Sequence, residues 1–269
     1  MRQWRVIYDP PMIGADNMAV DEAIMSVVGQ GEQPPTLRLY AWHPFCLSIG
    51  YGQRLRDVDL NRIEKNGWHI VRRPTGGKAI LHGDELTYSV SLPSDDELAQ
   101  GDIVESYRRI SESLMCALQL LGLSPASEKQ AKGNKGLGPV CFEVPSHYEI
   151  TSGSKKLIGS AQVRRRNGIL QHGTLPLFGD ITRICDALIY QDDDARIVAK
   201  EQVNARATTL ESVMNKRISW DTVANTIAQG FAETFDIDFQ IGELSSSEIE
   251  MVKQLLDERY LNDEWLHKR

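Results

Sequence analysis

Several features that define other classes of protein are missing from this sequence. The 269 residues include four cysteines, which are widely spaced and form no Cys-x-x-Cys pair. That spacing disfavours a zinc site and a disulfide framework. No segment approaches the run of about 18–20 apolar residues that crosses a bilayer, and the N-terminus has neither the apolar core nor the cleavage site of a signal peptide. We therefore expect a cytoplasmic protein with no metal site and no membrane segment.

An excess of positive charge is also missing. The formal net charge is −7, which argues against a general nucleic-acid-binding protein. The P-loop pattern GxxxxGK[ST], the dinucleotide fingerprint GxGxxG and the HExxH metal motif do not occur, so these nucleotide and zinc signatures are excluded. Hydrophobic residues make up 41% of the chain and charged residues 25%, which is ordinary for a globular protein.

Apolar periodicity predicts helices near both ends of the chain and one long helix between them. Residues 16–29 are predicted to form a helix with Asp16 as its N-cap. Apolar residues spaced by three and four predict a long amphipathic helix over 102–123. From about residue 180 onwards the chain is predicted to be mostly helical, with Ser219 as one of the N-caps.

Two groups of strands are predicted between these helices. The first lies within residues 34–93 and the second within 146–177, and the segment 124–139 is predicted to be a loop. This arrangement is typical of an α+β protein with mixed or antiparallel sheets flanked by helices. Residues 1–240 are expected to form the main domain, with a core at about 31–240, and residues 241–269 a small helical appendage.

One cysteine differs from the other three in its surroundings. Cys46, Cys116 and Cys185 lie within apolar patterns and are expected to be core residues. Cys141 follows a Gly/Lys-rich segment, and residues 129–166 contain eight basic residues and two acidic ones, an excess of six positive charges. A positive field favours the thiolate, which is the nucleophilic form. The residues alone leave two interpretations open, a nucleophile or a half-buried strand residue beneath a solvated basic loop.

Two further motifs carry candidate site residues. The stretch RRPTGGKAILHGDELTYSV contains Gly76 and Gly77, which permit positive φ and a close approach of the backbone. The stretch KKLIGSAQ places Lys156 before a run of small residues that leaves room for a slender chain. Each motif also has an ordinary interpretation, namely a plain hairpin with a structural His82 and a solvated lysine at the start of a strand.

Taken in order, these motifs resemble the superfamily of lipoate–protein ligases, octanoyltransferases and biotin–protein ligases, and within it the LipM-type octanoyltransferases. The resemblance spans nearly the whole chain. The stretches that carry it are NMAVDEAI, LRLYAW with LSIGYGQ, RRPTGGKAILHGDELTYSV, CFEVPSHYEI, KKLIGSAQVRRRNGILQHGTLPL and the terminal RYLNDEWLHKR. The resemblance implies the catalytic domain of that superfamily at residues 1–240.

The resemblance also implies a reaction. Octanoyl passes from acyl carrier protein to Cys141 as a thioester, and then to a lysine of the glycine cleavage H protein, with no cofactor. By position, Lys156 matches the lysine that lowers the pKa of the nucleophilic cysteine. The residues implied to bind the substrate are Arg72, Arg73, Gly76, Gly77, Lys78, His82, Gly159, Ser160 and Ala161. Family resemblance favours a monomer.

Other functions remain open at this point. An ATP-dependent lipoate–protein ligase shares the RRxxGG loop and Lys156, but its pattern usually has a third glycine where this chain has Lys78, and it needs no Cys141. An amidotransferase that moves octanoyl from the H protein is a second rival, and a non-catalytic carrier-binding protein of the same fold is a third. A pairing of Cys141 with His147, six residues along the chain, is also open.

Overall fold

A computed structural model describes residues 1–129 and 148–268. Within them the strands, in chain order, are β1 (Arg2–Tyr8), β2 (Thr36–Tyr40), β3 (Cys46–Ile49), β4 (His69–Arg72), β5 (Ile80–His82), β6 (Glu85–Pro93), β7 (Ala126–Lys129), β8 (Tyr148–Ser152), β9 (Lys155–Arg164), β10 (Gly168–Pro176) and β11 (Ile237–Ile241). Eight of them form one sheet in the order β11-β1-β2-β6-β10-β9-β8-β7, and the other three form a second sheet in the order β4-β3-β5.

Helices and short helical turns surround these sheets. The α-helices are α1 (Gly14–Gly29), α2 (Leu60–Lys65), α3 (Ile103–Leu120), α4 (Asp193–Arg206), α5 (Leu210–Met214), α6 (Trp220–Phe235), α7 (Ser246–Leu255) and α8 (Asp263–Leu266). Short 3₁₀ segments occupy Leu55–Asp57, Glu97–Ala99 and Ile181–Ala187, and a π-turn occupies Leu256–Tyr260. Among the described residues, none of the helices combines the length and the apolar character that a membrane span requires.

Strand direction shows that both sheets are mixed. β1 runs parallel to β11 and to β2, whereas β2, β6, β10, β9, β8 and β7 pair with one another in antiparallel fashion. In the small sheet β3 is parallel to β4 and antiparallel to β5. The predicted α+β class with mixed sheets flanked by helices is therefore confirmed.

The alternation of side chains along β6 explains the layers. Leu86, Tyr88 and Val90 point to one face of the large sheet and join the main hydrophobic core with α3 and α6. The intervening polar residues point to the opposite face, which α1 covers; there Ser89 donates a hydrogen bond to Asp21 of α1 at 2.8 Å. Because side chains alternate with period two along a strand, one strand serves an apolar layer and a polar layer.

Several sequence predictions for individual elements need correction. α1 begins at Gly14 with Ile13 at the N-cap, so Asp16 lies in the first turn and does not cap the helix. The predicted loop is wrong at its start, because Ala126–Lys129 pairs with β8 as a strand. The mostly helical C-terminal region is confirmed except for β11, which pairs with β1. The sequence analysis assigned no strand at β1 or β11.

The segment after residue 240 packs closely against the rest of the chain. α7 lies against α1, and Glu248 of α7 forms a buried ion pair with Arg5 of β1. Tyr260 donates a hydrogen bond to Glu22 of α1 at 2.5 Å. A division of the chain near residue 240 stays a prediction, and the contacts across it include both buried polar pairs and apolar packing against α1.

Candidate active site

The Gly-Gly turn is held in shape from within. The guanidinium of Arg73 donates hydrogen bonds to the carbonyl oxygens of Gly76 and Lys78, at 2.8 and 2.7 Å from Nη2. Gly77 has φ +96, a conformation that glycine adopts at little steric cost. A Cβ atom on Gly50 would lie 2.0 Å from the carbonyl oxygen of Gly77. The turn therefore packs directly on the backbone that follows β3.

A cavity of about 160 Å³ lies between this turn, β9 and β10. One buried water needs roughly 10–15 Å³, so the cavity has room for a ligand much larger than water. Its exposed wall is mostly apolar, with Met18, Tyr40, Trp42 and Ile80 among the contributors. The residues predicted from the sequence that line it are Arg73, Gly77, Lys78, His82, Lys156, Gly159, Ser160 and Ala161.

Lys156 enters this cavity from the start of β9. Lys156 is buried, with only 3% of its surface exposed. The backbone carbonyl oxygen of Lys156 accepts a hydrogen bond from Thr208 N–H at 3.0 Å. A Cβ atom on Gly159 would meet Lys156 Cε at 3.1 Å and Nζ at 3.6 Å. The absence of a side chain at Gly159 thus makes room for the end of the Lys156 side chain. In the sheet register, Gly159 and Ala161 lie opposite Thr174 and His172.

One wall of the cavity carries a carboxylate–histidine–hydroxyl chain. His82 Nδ1 lies 2.6 Å from Glu85 Oε1, and His82 Nε2 lies 2.7 Å from Ser48 Oγ. The His82 ring is stacked on Trp42, with ring centroids 4.0 Å apart and planes inclined by 10°. Thr87 donates a further hydrogen bond to Glu85 Oε1 at 2.7 Å. His82 is therefore fixed in both position and orientation.

A second chain of the same type runs from α1 to the Gly-Gly turn. Asp21 Oδ2 lies 3.0 Å from His172 Nδ1, and His172 Nε2 lies 2.7 Å from Thr75 Oγ1. The other oxygen of Asp21 accepts a hydrogen bond from Arg38 at 2.8 Å. Burial alone raises the pKa of Asp21, but the hydrogen bond from His172 and the charge of Arg38 outweigh it and hold the pKa below its usual value. Burial lowers the pKa of His172 despite the neighbouring Asp21.

Arg72 points away from the cavity. Its guanidinium donates hydrogen bonds to five backbone carbonyl oxygens, those of Gly50, Tyr51, Gln53, Trp265 and Leu266. In return Trp265 Nε1 donates to the carbonyl oxygen of Arg72 at 2.9 Å. Successive residues at the end of β4 thus face opposite ways, so that Arg73 lies at the cavity and Arg72 joins the loop after β3 to the C-terminal segment. Gly76 contributes a carbonyl oxygen to Arg73 and is not among the cavity-lining residues.

The predicted nucleophile Cys141 and the alternative partner His147 lie outside the described residues. Cys46 and Cys185 are buried, and Cys116 is partly exposed on α3. Burial raises the pKa of the Cys46 thiol, and the charge of Glu85 raises it further, so this thiol is suited to packing rather than to nucleophilic chemistry.

The chain matches a family model for the lipoyl protein ligase A/B catalytic domain over residues 14–232. The chain belongs to this family. It is similar to proteins named Octanoyltransferase LipM from Exiguobacterium sibiricum, at 38% identity over 276 residues, and from Kyrpidia tusciae, at 39% over 275 residues, with 100% of both chains covered in each case.

Solved lipoyl protein ligases have the same fold. A structure of the bipartite lipoate protein ligase of Thermoplasma acidophilum superposes with a TM-score of 0.82 at 28% identity, covering 98% of this chain and 96% of that chain. A crystal structure of lipoate-protein ligase A bound with ATP superposes with a TM-score of 0.81 at 27% identity, covering 98% of each chain. This chain thus shares the scaffold of these lipoate–protein ligases.

Several polar residues of this site were not predicted from the sequence. Ser48, Thr75, Glu85 and His172 were not singled out, and neither was Asp21. Glu85 follows His82 by three residues, and Asp21 lies one helical turn after Asn17 in a helix that is buried on nearly all sides. A polar pair at i and i+4 in such a helix indicates a buried polar contact, and this signal was available.

Proposed function

We propose that this chain transfers an octanoyl group from a carrier-bound thioester to the ε-amine of a lysine on a lipoyl-accepting protein. Its full-length similarity to octanoyltransferases, at up to 39% identity, exceeds its 27% identity to the ligase bound with ATP. The observation that carries the proposal is this full-length similarity, because a ligase shares Lys156 and the Gly-Gly turn. The burial of Lys156 at an apolar cavity lined by the Gly-Gly turn supports chemistry on an acyl group. An apolar cavity suits an unbranched acyl chain, and an ammonium beside it suits chemistry on a thioester.

The proposed chemistry has two steps. The Cys141 thiolate attacks the carrier thioester, and the acyl-enzyme thioester is then attacked by the acceptor lysine. Lys156 as an ammonium stabilises the thiolate electrostatically. Covalent catalysis divides one difficult transfer into two easier ones. Exchange between thioesters is nearly isoenergetic and the step to an amide is downhill, so no ATP is required.

The same proposal covers the donor, the acceptor, the location and the oligomeric state of the protein. The donor is octanoyl-acyl carrier protein and the acceptor is the H protein of the glycine cleavage system. The chain acts in the cytoplasm as a monomer and needs no cofactor. Arg73, Gly77, Lys78 and His82 support binding of the acyl group because they line the same cavity as Lys156.

Intact-mass measurement tests this function. The protein is mixed with octanoyl-acyl carrier protein in the absence of ATP, and we expect a mass increase of one octanoyl group that is lost in Cys141→Ser. Addition of the H protein should discharge the adduct and octanoylate the acceptor. If the acceptor is modified only when ATP and free octanoate are added, the result would support a ligase instead. No modification under either condition would support a carrier-binding protein.

A further inference from the structure

The cavity between the Gly-Gly turn, β9 and β10, here called the first cavity, is about the size of one octanoyl tail. An engineered apolar cavity of about 150 Å³ takes up one benzene molecule, which has six carbon atoms. The first cavity measures about 160 Å³, and an octanoyl group has seven carbon atoms beyond its carbonyl carbon. An octanoyl tail therefore fills this space, and a longer acyl chain needs further room behind one of the walls.

A second, smaller cavity lies against strand β5. It measures about 40 Å³, which by the same comparison is room for roughly one or two carbon atoms. Apolar residues make up most of its wall, and besides Ile80 they are Phe45, Leu81, Pro176, Phe178, Ile181 and Ile184. A wall of this composition suits a hydrocarbon chain.

The charged residues beside the second cavity already have partners. Asp84 forms an ion pair with Arg183 at 3.0 Å. Asp180 accepts hydrogen bonds from the backbone N–H and the hydroxyl of Thr182, and the carboxylate of Glu85 is engaged by the hydrogen bonds described above. A hydrocarbon chain that entered this cavity would therefore meet apolar groups and break no ion pair.

Ile80 separates the two cavities. Among the residues that the structure describes, it is the one that lines both. Its backbone pairs with Ser48 of β3, and its side chain lies on the same face of β5 as that of His82, because side chains alternate along a strand. The neighbouring part of the partition is polar, since His82 lines the first cavity, Glu85 lines the second, and the two are hydrogen-bonded. Ile80 is therefore the aliphatic part of the partition.

We propose that Ile80 is the stop that sets the length of the acyl chain, an inference that rests on the proposed octanoyl transfer. The octanoyl tail ends against the Ile80 side chain, and the second cavity is a subsite for longer acyl chains that Ile80 keeps closed. Ile80→Ala removes three carbon atoms from the partition. Together with the second cavity, that change frees room for about four further carbon atoms by the same comparison, so that a dodecanoyl chain should fit.

The expected change in specificity follows from the burial of methylene groups. One methylene group more or fewer in a hydrophobic pocket changes kcat/KM about 10–200-fold, so the parent should react with octanoyl at least about tenfold faster than with dodecanoyl. In Ile80→Ala the added methylene groups gain an apolar wall, and each buried methylene group strengthens binding about fourfold. We therefore expect the ratio of dodecanoyl to octanoyl transfer to rise at least about tenfold in this variant.

Competition between two acyl chains measures this ratio directly. The protein is mixed with equal amounts of octanoyl- and dodecanoyl-acyl carrier protein, and the two adducts are quantified by intact mass at early times. Both adducts form on one sample, so their ratio does not depend on the fraction of molecules that fold. Ile80→Val removes one carbon atom from the partition and should shift the ratio in the same direction as Ile80→Ala, by a smaller factor.

The neighbouring Leu81 supplies a matched control. It lines the second cavity but not the first, and it packs against the hydrophobic core of the small sheet. Leu81→Ala should therefore enlarge the second cavity without opening the partition, and it should leave the ratio close to that of the parent. A parent that accepts both chains equally, an unchanged ratio in Ile80→Ala, or an equal shift in Leu81→Ala would each overturn the stop while octanoyl transfer stands. If neither chain forms an adduct on the parent, both proposals are overturned.

Discussion

Glycines, which have no side chain, shape the cavity as much as polar groups do. Gly50 lets the backbone after β3 touch the carbonyl oxygen of Gly77, and Gly159 leaves space for the end of the Lys156 side chain. Gly173 similarly allows β10 to approach the backbone and side chain of β9, since a Cβ there would lie 2.5 Å from Ser160 Oγ. At these positions a methyl group would meet neighbouring atoms at once.

Gly50→Ala should therefore disturb the Gly-Gly turn. The added Cβ would lie 2.0 Å from the Gly77 carbonyl oxygen, and a backbone atom cannot rotate out of the way. We expect a loss of about 1–3 kcal/mol in the free energy of unfolding, as for overpacking elsewhere, together with slower acylation. Gly52→Ala is the control, because a Cβ at Gly52 meets no atom within 4 Å. Equal unfolding midpoints in urea for the two variants would contradict this account.

The buried His172 predicts a pH dependence of stability. Burial lowers its pKa below the usual value of 6.5, so below about pH 6.5 the unfolded chain binds a proton that the folded chain resists. Stability therefore falls as the pH falls through this range. Asp21 titrates at lower pH, because its pKa lies below 3.8. We expect the unfolding free energy of the parent to drop more between pH 7 and 5 than that of His172→Gln. Parallel pH profiles for the two proteins would contradict the lowered pKa.

At the scale of elements, Arg72, which precedes the Gly-Gly turn, joins the C-terminal segment to the loop after β3. Arg72 holds carbonyl oxygens of the loop after β3 and of α8 at the same time, and Trp265 donates back to the Arg72 carbonyl. Trp265 also lies edge-on to Tyr51, with ring centroids 5.7 Å apart. Helix α8 thus supports the end of β4 and the loop after β3, although it contributes no residue to the cavity wall.

A double-mutant cycle tests this support. Lysine cannot reproduce the forked donors of arginine. Arg72→Lys should therefore lower the free energy of unfolding by about 1–3 kcal/mol, because it leaves buried carbonyl groups unpaired. In a chain that lacks residues 263–269 the same substitution should cost at least about 1 kcal/mol less, because the two changes remove shared contacts. Ile241→Ala, at an 83% exposed position, should behave additively with the deletion. An additive result for Arg72→Lys would show that α8 and the end of β4 are independent.

At the scale of the whole molecule, the distribution of charge matters more than its total. The chain carries a net charge of −7, yet three arginines follow one another at the end of β9. Arg164 is not available for docking as a free side chain, because it donates to the carbonyl oxygens of Gly101 and Asp102 at the start of α3. Arg165 and Arg166 are exposed and directly follow Arg164, the last residue of β9, which lies about 26 Å along the strand from Lys156 at roughly 3.3 Å per residue.

Charge reversal at these two exposed arginines tests carrier docking. Acyl carrier proteins are acidic, so Arg165→Glu with Arg166→Glu should slow acylation by octanoyl-acyl carrier protein several-fold at low salt, through weaker electrostatic steering. Acylation by a small octanoyl thioester should not change. Arg164→Gln serves as a comparison and is expected to lower stability instead. If acylation by the carrier protein and acylation by the small thioester slow equally, the result would argue against docking at this surface.

Much of the architecture could be predicted from the sequence because its signals are local. The long helix appears as α3 (Ile103–Leu120), and Ser219 caps α6 as expected. β1 and β11 were not predicted because they pair across more than 230 residues, and no local signal encodes such a partner. Asp16 failed as an N-cap because Ile13 occupies that position without any side-chain hydrogen bond.

The sequence by itself determined the α+β class, the family and eight of the seventeen residues that line the cavity, because short motifs place glycines and charges at fixed positions along strands. Only the tertiary structure decided the direction of each side chain. Arg72 and Arg73 are adjacent in the sequence but face opposite ways, since β4 alternates its side chains. The pairing of His82 with Ser48 depends on β3 and β5 lying side by side in the small sheet, and that of His172 with Asp21 depends on the packing of α1 against β10. Both arrangements are properties of the folded chain.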